Sequence, residues 1–390
     1  MRKPHTQPYY FTTTLCRLWL IAALFFLLLF SGTECRKNPI VPQIDTTSQN
    51  FSVLRVDTLG SIFSFANCVD IVNENDIWVG GIFTWLDDTG ETHYDKNLAH
   101  WNGEHWELMS VPMYGYNNTG PTPEELVAVK VFSNTDIFVT SKFNSQARWD
   151  GTKWTSYFVD PQVGYLQHVW ARTSNDIYFV GEAGRAAYYN GQTFTKINTG
   201  ITNPPLTDVW GDENAVYAVG YGSSPTEGNE TVSLTGNKTS WSIVNRYDIT
   251  DRDSILPSQY QYVGPMYSVF RAHSNSKLWF LGGRGVWNQL YEIESLSPFR
   301  AKVFFDFPTN YGAYLVRGTS DNDLYVVNQR NAAFYHFNGI TWYKYEPPMN
   351  NYLLAYSTAS FLVKGNTWVA VGFSTESVVG SAIVVIGKHN

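Results

Sequence analysis

From residue 51 onward, short apolar runs alternate with polar turns, and one order of elements recurs along the chain. Each unit begins with a short apolar strand and a polar turn, often Asn-Asp. A strand of the type Ile-Trp-Val-Gly follows, then a strand ending in aromatic-x-Gly, then Thr-x-Trp and a last strand. The unit is roughly 40 to 48 residues long, as in four-stranded propeller blades. No segment has a convincing amphipathic helical period, so the pattern predicts an all-β fold, a β-propeller.

Seven copies of the unit are visible, which predicts seven blades. The second strands of the seven copies are residues 75–80, 135–139, 175–181, 215–220, 278–282, 322–327 and 367–372. The third copy is the most regular and the fifth the most degenerate, so a six-bladed ring is the alternative. One aromatic position recurs in the second strands and is predicted to pack between blades rather than to stack on sugars. Its members are Trp78, Phe138, Tyr178, Tyr217, Trp279, Tyr325 and Trp368.

The seventh copy has only three strands, at residues 353–356, 367–372 and 382–387, before the sequence ends. The missing strand is at the other end, because FSVLRVDTL at residues 51–59 resembles a last strand such as residues 154–159. Pairing residues 51–59 with residues 382–387 would close the ring and leave no row of unpaired backbone groups. Residues 51–390 are therefore predicted to be one seven-bladed β-propeller.

Tight turns are predicted where Asn or Asp precedes Gly, because these pairs favour hairpins with positive φ. The pairs are Asn102-Gly103, Asp150-Gly151, Asn190-Gly191 and Asn338-Gly339. Four longer segments depart from the repeat and are expected to be surface loops that carry binding. They are residues 84–97, 113–124, 221–238 and 248–265.

The first 35 residues are predicted to be a signal segment. Residues 18–30, LWLIAALFFLLLF, are apolar without a break but too short for a comfortable membrane span. Small residues and Cys35 follow, the order of a bacterial lipoprotein signal in which Cys35 is acylated, although Glu34 stands where that signal has a small residue. Ordinary secretion and an uncleaved anchor are the alternatives. All three place the domain outside the cytoplasm, in the periplasm or at the outer membrane or cell surface, with residues 36–50 as a polar tether.

Composition narrows the classes of partner and cofactor. The formal net charge of -7 argues against nucleic acid, which needs a clustered basic surface. With Cys16 in the signal segment, Cys35 and Cys68 allow at most one disulfide. His100 and His105 are interpreted as exposed residues beside a turn, since zinc needs three or four converging ligands. No metal or other cofactor is expected, and a membrane is expected only through the N-terminal lipid or anchor.

The repeat resembles known propeller families. The aromatic-x-Gly-x-x-Trp turn is loosely similar to the Asp-box turn of sialidase-like propellers, without its leading Ser-x-Asp, and Gly80-Gly81 is loosely similar to kelch repeats. The Asn-Asp-Ile-Trp-Val-Gly and His-Trp-Asn-Gly-x-x-Trp phrases most resemble uncharacterised exported or lipid-anchored propellers of Bacteroidetes and Ignavibacteria-type bacteria. Such proteins sometimes carry a glucosyltransferase label, but the two Asp-x-Asp sequences here, at residues 251–253 and 321–323, are interpreted as turns.

Resemblance to the propeller fold implies a ligand site at the mouth of the central channel. Basic residues near the ends of the innermost strands are the candidates for holding a carboxylate or phosphate there. They are Lys130, Arg172, Arg271 and Arg317. The alternative is that each pairs with a local acid, such as Asp176 or Asp323, on a solvated turn.

Two functions are carried forward. The first is a non-catalytic binding or scaffold propeller in the bacterial envelope, for a protein or glycan partner. The second is a carbohydrate-active enzyme acting at the channel mouth. The first is favoured, because no catalytic residues can be nominated from a metal cluster, nucleophile motif or paired-carboxylate signature.

Overall fold

A computed structural model describes residues 44–45, 51–114, 120–158, 165–222, 224, 226–248, 265–284, 287–308, 312–328, 334–345, 356–374 and 380–389. The predicted signal segment, with Cys35, lies outside these residues. Seven sheets, each containing four antiparallel strands, form a ring, which confirms the seven-bladed β-propeller. Among the described residues the one helical element is a 3-10 turn at Glu182–Gly184. None of these residues forms a helix long and apolar enough to cross a membrane.

The strands follow one order in every blade, from the channel outward. Blade one comprises β3 (Phe65–Asn73), β4 (Asp76–Leu86), β5 (Thr92–Trp101) and β6 (Trp106–Met109). A two-stranded hairpin, β7 (Met113–Tyr114) and β8 (Pro121–Thr122), leads to blade two, which comprises β9 (Leu126–Ser133), β10 (Asp136–Ser141), β11 (Ser145–Trp149) and β12 (Trp154–Phe158). Blade three comprises β13 (Leu166–Thr173), β14 (Asp176–Gly181), β15 (Ala186–Tyr189) and β16 (Phe194–Ile197). Blade four comprises β17 (Leu206–Gly211), β18 (Val216–Tyr221), β19 (Glu230–Gly236) and β20 (Trp241–Asp248).

The remaining three blades include the one that closes the ring. Blade five comprises β21 (Met266–Phe270), β22 (Leu278–Arg284), β23 (Trp287–Leu296) and β24 (Phe299–Asp306), so the degenerate fifth copy is a complete blade. Blade six comprises β25 (Ala313–Ser320), β26 (Asp323–Asn328), β27 (Phe334–Phe337) and β28 (Trp342–Tyr345). Blade seven comprises β29 (Tyr356–Lys364), β30 (Thr367–Ser374), β31 (Ala382–His389) and β2 (Phe51–Leu59).

Ring closure by the N-terminal strand is confirmed. Strand β2 pairs antiparallel with β31 along its whole length, from Phe51 opposite His389 to Leu59 opposite Ala382. Leu59 is buried in the core between blades seven and one. The inner strand of blade seven was predicted at residues 353–356, of which only Tyr356 lies within the described residues; it is the first residue of β29.

The segment predicted to be a polar tether contributes a short strand of its own. Strand β1 (Ile44–Asp45) pairs in parallel with β28, Ile44 opposite Trp342 and Asp45 opposite Tyr343. Blade six is thus a five-stranded sheet. An outer strand presents unpaired backbone groups, so β1 covers part of the edge of this blade.

The apolar core lies between neighbouring blades. Six of the seven recurrent aromatic residues occupy one position of the second strand, as predicted, and Trp78 and Tyr325 are examples. Each inner strand has one residue without a partner in the ladder, a bulge. Each of these aromatic residues pairs with the inner-strand residue three positions after that bulge. Trp368 is the exception, because the register of β29 with β30 puts Val369 at that position. Trp368 therefore packs with blade six, whereas Val369 packs with blade one. A one-residue shift along a strand reverses the face on which a side chain lies.

The recurrent Asp that begins a second strand holds a basic residue of a neighbouring strand. Asp76 lies 2.9 Å from His100, whose ring stacks on Trp78, and Asp323 lies 2.7 Å from His336. The interpretation of His100 as an exposed turn residue was wrong, since it is a half-buried residue of β5. The Asn-Asp phrase thus combines a turn residue with a carboxylate that cross-links strands of the blade.

The two faces of the ring differ in their connections. Tight turns lie on the turn face, where the inner strands end, and the four predicted turn glycines there have φ between 88° and 94°. The longer connections lie on the opposite face, where the inner strands begin, which we call the entry face. Of residues 84–97, predicted to be a loop, 84–86 belong to β4 and 92–97 to β5, whereas of residues 221–238 only Tyr221 and residues 230–236 belong to strands, β18 and β19. Residues 113–124 include the β7–β8 hairpin, and most of residues 248–265 lie outside the described residues.

Candidate functional site in the central channel

A cavity of about 380 Å³ lies where the inner strands of the blades converge. Inner-strand residues of six blades line it, and Glu125 and Lys142, which precede β9 and follow β10, place its mouth on the entry face. The polar and charged residues of its wall are Asn67, Glu125, Lys130, Lys142, Gln167, His168, Thr207, Asp208, Arg317 and Ser360.

Every inner strand carries an irregularity of register at the same place. One residue near the start of each inner strand has no partner in the ladder, as in a β-bulge, which re-aims the side chains beside it. The residues that follow the bulge form a ring around the channel, which we call the post-bulge ring. Its members are Cys68, Ala128, His168, Asp208, Ser268, Leu315 and Ser360, from blades one to seven in order.

Blades four to six form the closed wall, where the side chains bond across the channel. The guanidinium of Arg317 donates to both carboxylate oxygens of Asp208, each at 2.9 Å. Asp208 is 3% exposed and Arg317 9%, so the pair is buried, and the guanidinium lies 4.5 Å from the ring centroid of Trp210. Ser268, also buried, donates to Asp208 at 2.6 Å. A bidentate pair with further hydrogen bonds is the geometry that compensates for removing two charges from water.

The same side chains satisfy main-chain groups that face the channel. The N–H groups of Val209 and Val269 donate to Asp208, each at 3.0 Å, although they belong to neighbouring blades. The N–H of Val316 donates to Ser268 at 3.2 Å, and Arg317 donates to the carbonyl of Val316 at 2.8 Å. In blades four to six the exposed edges of the inner strands are therefore capped from within the chain.

Blades one to three and seven form the open wall. Its post-bulge residues are small or weakly polar, apart from His168. Lys130 is half-buried in β9 and has no carboxylate of the described residues within ion-pairing distance. The second lysine of the cavity, Lys142 at the rim, already has an ion-pair partner, since it donates to Glu125 at 3.2 Å. Asn67 also donates to Glu125, at 2.9 Å. Lys130 is thus the cation of the cavity that remains available to a ligand.

Burial keeps three groups of the cavity uncharged. Burial lowers the pKa of His168, which Arg317 lowers further and Asp208 partly restores. Burial also raises the pKa of the Cys68 thiol and of the Tyr314 phenol to about 12. At neutral pH the charges on the cavity wall are therefore those of carboxylates, lysines and Arg317.

The structure divides the four basic candidates between two places. Lys130 and Arg317 line the cavity, whereas Arg172 and Arg271 lie on the turn face, outside its lining. Arg172 donates to Asp176 and, at 2.7 Å, to the main-chain carbonyl of Asp212. Arg271 lies 3.2 Å from the Asp212 carboxylate and donates to Tyr217 at 2.6 Å. These two arginines connect neighbouring blades and do not converge with the other two.

Sequence reasoning missed Asp208, Ser268 and His168. The sequence carried a signal for two of them. The first residues of Asp-Val-Trp at 208–210 and His-Val-Trp at 168–170 are polar, whereas other copies of the repeat have Cys, Ala or Leu at that position. Elsewhere among the described residues, Asp87, Glu91 and His93 lie close enough together to bind a metal ion. They lie at the tip of the β4–β5 hairpin, where Asp87 already accepts hydrogen bonds from Thr89 and Glu91.

No protein-family model matches the sequence, and no curated protein matches it significantly. Solved structures do match the fold. YCF48 bound to a D1 peptide superposes with a TM-score of 0.57 at 10% identity, over 90% of this chain and 99% of that one. Catalytically inactive virginiamycin B lyase from Staphylococcus aureus with quinupristin gives 0.59 at 12% identity, over 87% and 100%. The Pan2 WD40 domain of Neurospora crassa gives 0.53 at 11% identity, over 89% and 98%. At such identities the likeness establishes the propeller fold alone.

Proposed function

We propose that this protein is a non-catalytic binding propeller of the bacterial cell envelope that receives a segment of a protein partner at the channel mouth. The observation that carries the proposal is the cavity on the entry face, in which one wall is capped by its own side chains and the other is open. A propeller needs no catalytic group to bind, because its rigid strands position whatever lines the channel. A propeller of similar fold, YCF48, is bound to a peptide, which supports this class of partner.

The hydrogen bonds accepted by the cavity carboxylates favour a binding role over a carbohydrate-active enzyme. A glycosidase needs one carboxyl group as acid and a second as nucleophile or base. Both oxygens of Asp208 accept from Arg317, and those of Glu125 accept from Asn67 and Lys142. Each of these two carboxylates is thus held by a partner within the chain.

Placement in the envelope rests on the sequence of the N-terminal segment. The apolar run at 18–30 followed by Cys35 supports export with lipidation of Cys35. Mass spectrometry of the mature N-terminus tests this. A diacylated or triacylated Cys35 is expected, and a free N-terminus downstream of Cys35 would exclude the lipid anchor.

Site-specific photo-crosslinking tests the binding role. A benzoylphenylalanine replaces Val127 on the cavity wall or, as control, Lys153, an exposed turn-face residue. We expect a discrete protein adduct in native envelopes from position 127 and none from position 153, and binding of that protein after purification. Equal adducts from both positions, or none, would contradict a partner at the mouth. Turnover of an envelope glycan by the purified chain would instead favour the enzyme.

A further inference from the structure

We propose that blades two and three hold a carboxylate-binding site on the open wall, formed by Lys130 and the main-chain N–H groups of Val129 and Val169. The inference rests on the proposed binding function and names the group that the partner inserts. The site takes a single carboxylate, the chain end or an acidic side chain of a peptide.

The chain itself shows what its inner-strand edges do with carboxylates. Asp208 accepts from the N–H groups of Val209 and Val269, each at 3.0 Å, and so joins blades four and five. Asp70 accepts from its neighbour Ile71 at 3.1 Å and from Val131 at 2.7 Å, and so joins blades one and two. In both places a carboxylate bridges the edge amides of adjacent blades, as main-chain anion sites do.

Blades two and three present the same amides without the carboxylate. Val129 and Val169 directly follow the post-bulge residues, as Val209 and Val269 do. Because N–H groups alternate in direction along a strand, equal register implies that these two also face the channel. No side chain among the described residues accepts from them. Ala128 occupies the post-bulge position that Asp208 occupies in blade four, so the bridging group is absent where its donors are present.

The cation and the space are present as well. Lys130 comes three positions beyond its bulge, the position that Arg317 has in blade six. Arg317 neutralises Asp208, whereas the ammonium of Lys130 has no such partner among the described carboxylates. Val129, Lys130 and Val169 all line the cavity of about 380 Å³, which is open to the entry face. A carboxylate entering there meets a lysine and two amides, and charge-assisted bonds of this kind are the strong ones.

A peptide carboxylate is favoured over a sugar acid, which carries the same group. The carbonyls of Val129 and Val169 point the same way as their N–H groups, because both groups of a strand residue lie on one edge. They offer acceptors beside the anion site, and the amide nitrogen of a C-terminal residue is two bonds from its carboxylate carbon. The site thus matches both the charge and the adjoining amide of a chain end.

Calorimetric titration of the mature chain tests the site with three probes: acetyl-trialanine, its C-terminal amide and glucuronate. The free acid is expected to bind at least about tenfold more tightly than the amide, since hydrogen bonds to charged groups are the larger ones. Lys130→Met is expected to reduce the affinity for the acid by a similar factor, and the control Lys153→Met to leave it unchanged. Equal affinity for acid and amide, or an unaffected Lys130→Met, would overturn the site.

A second variant tests the position without removing the cation. Ala128→Asp supplies the missing carboxylate from within the chain, so it is expected to abolish binding of the acid while unfolding as cooperatively as the wild type. Retention of binding by a folded Ala128→Asp chain would overturn the assignment to blades two and three. Tighter binding of glucuronate than of the peptide acid would overturn the peptide in favour of a sugar acid.

Failure of this site is distinguishable from failure of the binding role. If the adduct from position 127 forms equally well with Lys130→Met, the partner binds at the mouth and the carboxylate site is wrong. If no adduct forms with either chain, the binding role itself falls.

Discussion

The closed wall and the open wall have the same backbone and different side chains. Their inner strands share the bulge and the register, so the same main-chain groups point into the channel from both. In blade four the post-bulge residue is Asp208 and its charge is matched by Arg317 from blade six. In blade two the post-bulge residue is Ala128, and Lys130 has no ion-pair partner among the described residues. The comparison teaches that one backbone arrangement can be bonded across blades by a buried ion pair in one wall and, in blades two and three of the other wall, leave its main-chain donors without a side-chain acceptor among the described residues.

The two walls should also differ in how far a substitution lowers the free energy of unfolding. A buried, fully bonded ion pair is costly to break, because the remaining charge stays largely buried without a partner. A half-buried lysine at an open cavity stays hydrated, so its loss removes little from the folded state. Substitutions in the closed wall should therefore change mainly the stability of the protein, and substitutions in the open wall should change mainly ligand binding.

The largest expected effect disrupts both walls together by opening the ring. Deletion of residues 36–59 from the mature chain removes β2, with Leu59, Val53 and Val56 packed in the cores beside blade seven. At about 1.5–3 kcal/mol for each buried side chain, the free energy of unfolding should fall by about 5 kcal/mol or more. Deletion of residues 36–41 alone, which leaves β1 and β2, should have no comparable effect in urea denaturation. Equal midpoints for the two deletions would disprove closure by β2.

The next largest effect compares a substitution in the closed wall with one in the open wall. Arg317→Met leaves Asp208 charged and buried, and should lower the free energy of unfolding by about 3–5 kcal/mol. Lys130→Met should change it by less than about 0.5 kcal/mol, since it removes a hydrated charge from the surface of a cavity. Urea denaturation at neutral pH measures both. Similar losses for the two variants would mean that the walls do not differ as described.

A smaller effect compares two serines of the post-bulge ring. The Ser268 hydroxyl donates to Asp208 and accepts from Val316, whereas the Ser360 hydroxyl has no hydrogen-bond partner among the described residues. Ser268→Ala should destabilise the protein by about 1–3 kcal/mol, because it leaves buried groups unsatisfied. Ser360→Ala, at the same ring position in blade seven, should be nearly neutral. A reversed order in the melting temperatures would contradict the assignment of the two walls.

The smallest expected effect concerns His168, the post-bulge residue of blade three in the open wall. Its pKa is lowered by burial and by Arg317, with Asp208 acting in the opposite direction. The unfolded chain therefore takes up the proton first, so stability falls as pH drops through about 6.5, by at most about 1.4 kcal/mol per pH unit. His168→Gln should remove this part of the slope between pH 7 and 5, whereas the exposed His105→Gln should not. An unchanged slope for His168→Gln would show that this histidine does not titrate on unfolding in that range.

Much of the fold followed from local pattern. Alternating apolar residues, Asn-Gly turns and the repeated Asp-Ile-aromatic phrase depend on neighbours along the chain, and they located seven blades, with the two innermost strands of blades one to six. The apolar FSVLRVDTL segment indicated closure because an unpaired edge is costly wherever it occurs. Blade seven was less well predicted. The register of β29 with β30 differs by one residue from the register in the other blades, and this difference places Trp368 on the other face of its strand.

The sequence by itself determined a closed ring of seven blades and named Lys130 and Arg317 among its basic candidates. It did not determine that Arg317 would be neutralised and Lys130 left available, because Asp208 and Arg317 are separated by 109 positions and belong to different blades. Their contact depends on the closed ring, which brings the inner strands to one axis, and on the bulge, which turns the post-bulge residues toward it. The contact between these two side chains has no local signature in the sequence. The division of the channel into a closed and an open wall was therefore decided by the tertiary structure, which alone sets which side chains meet across the axis.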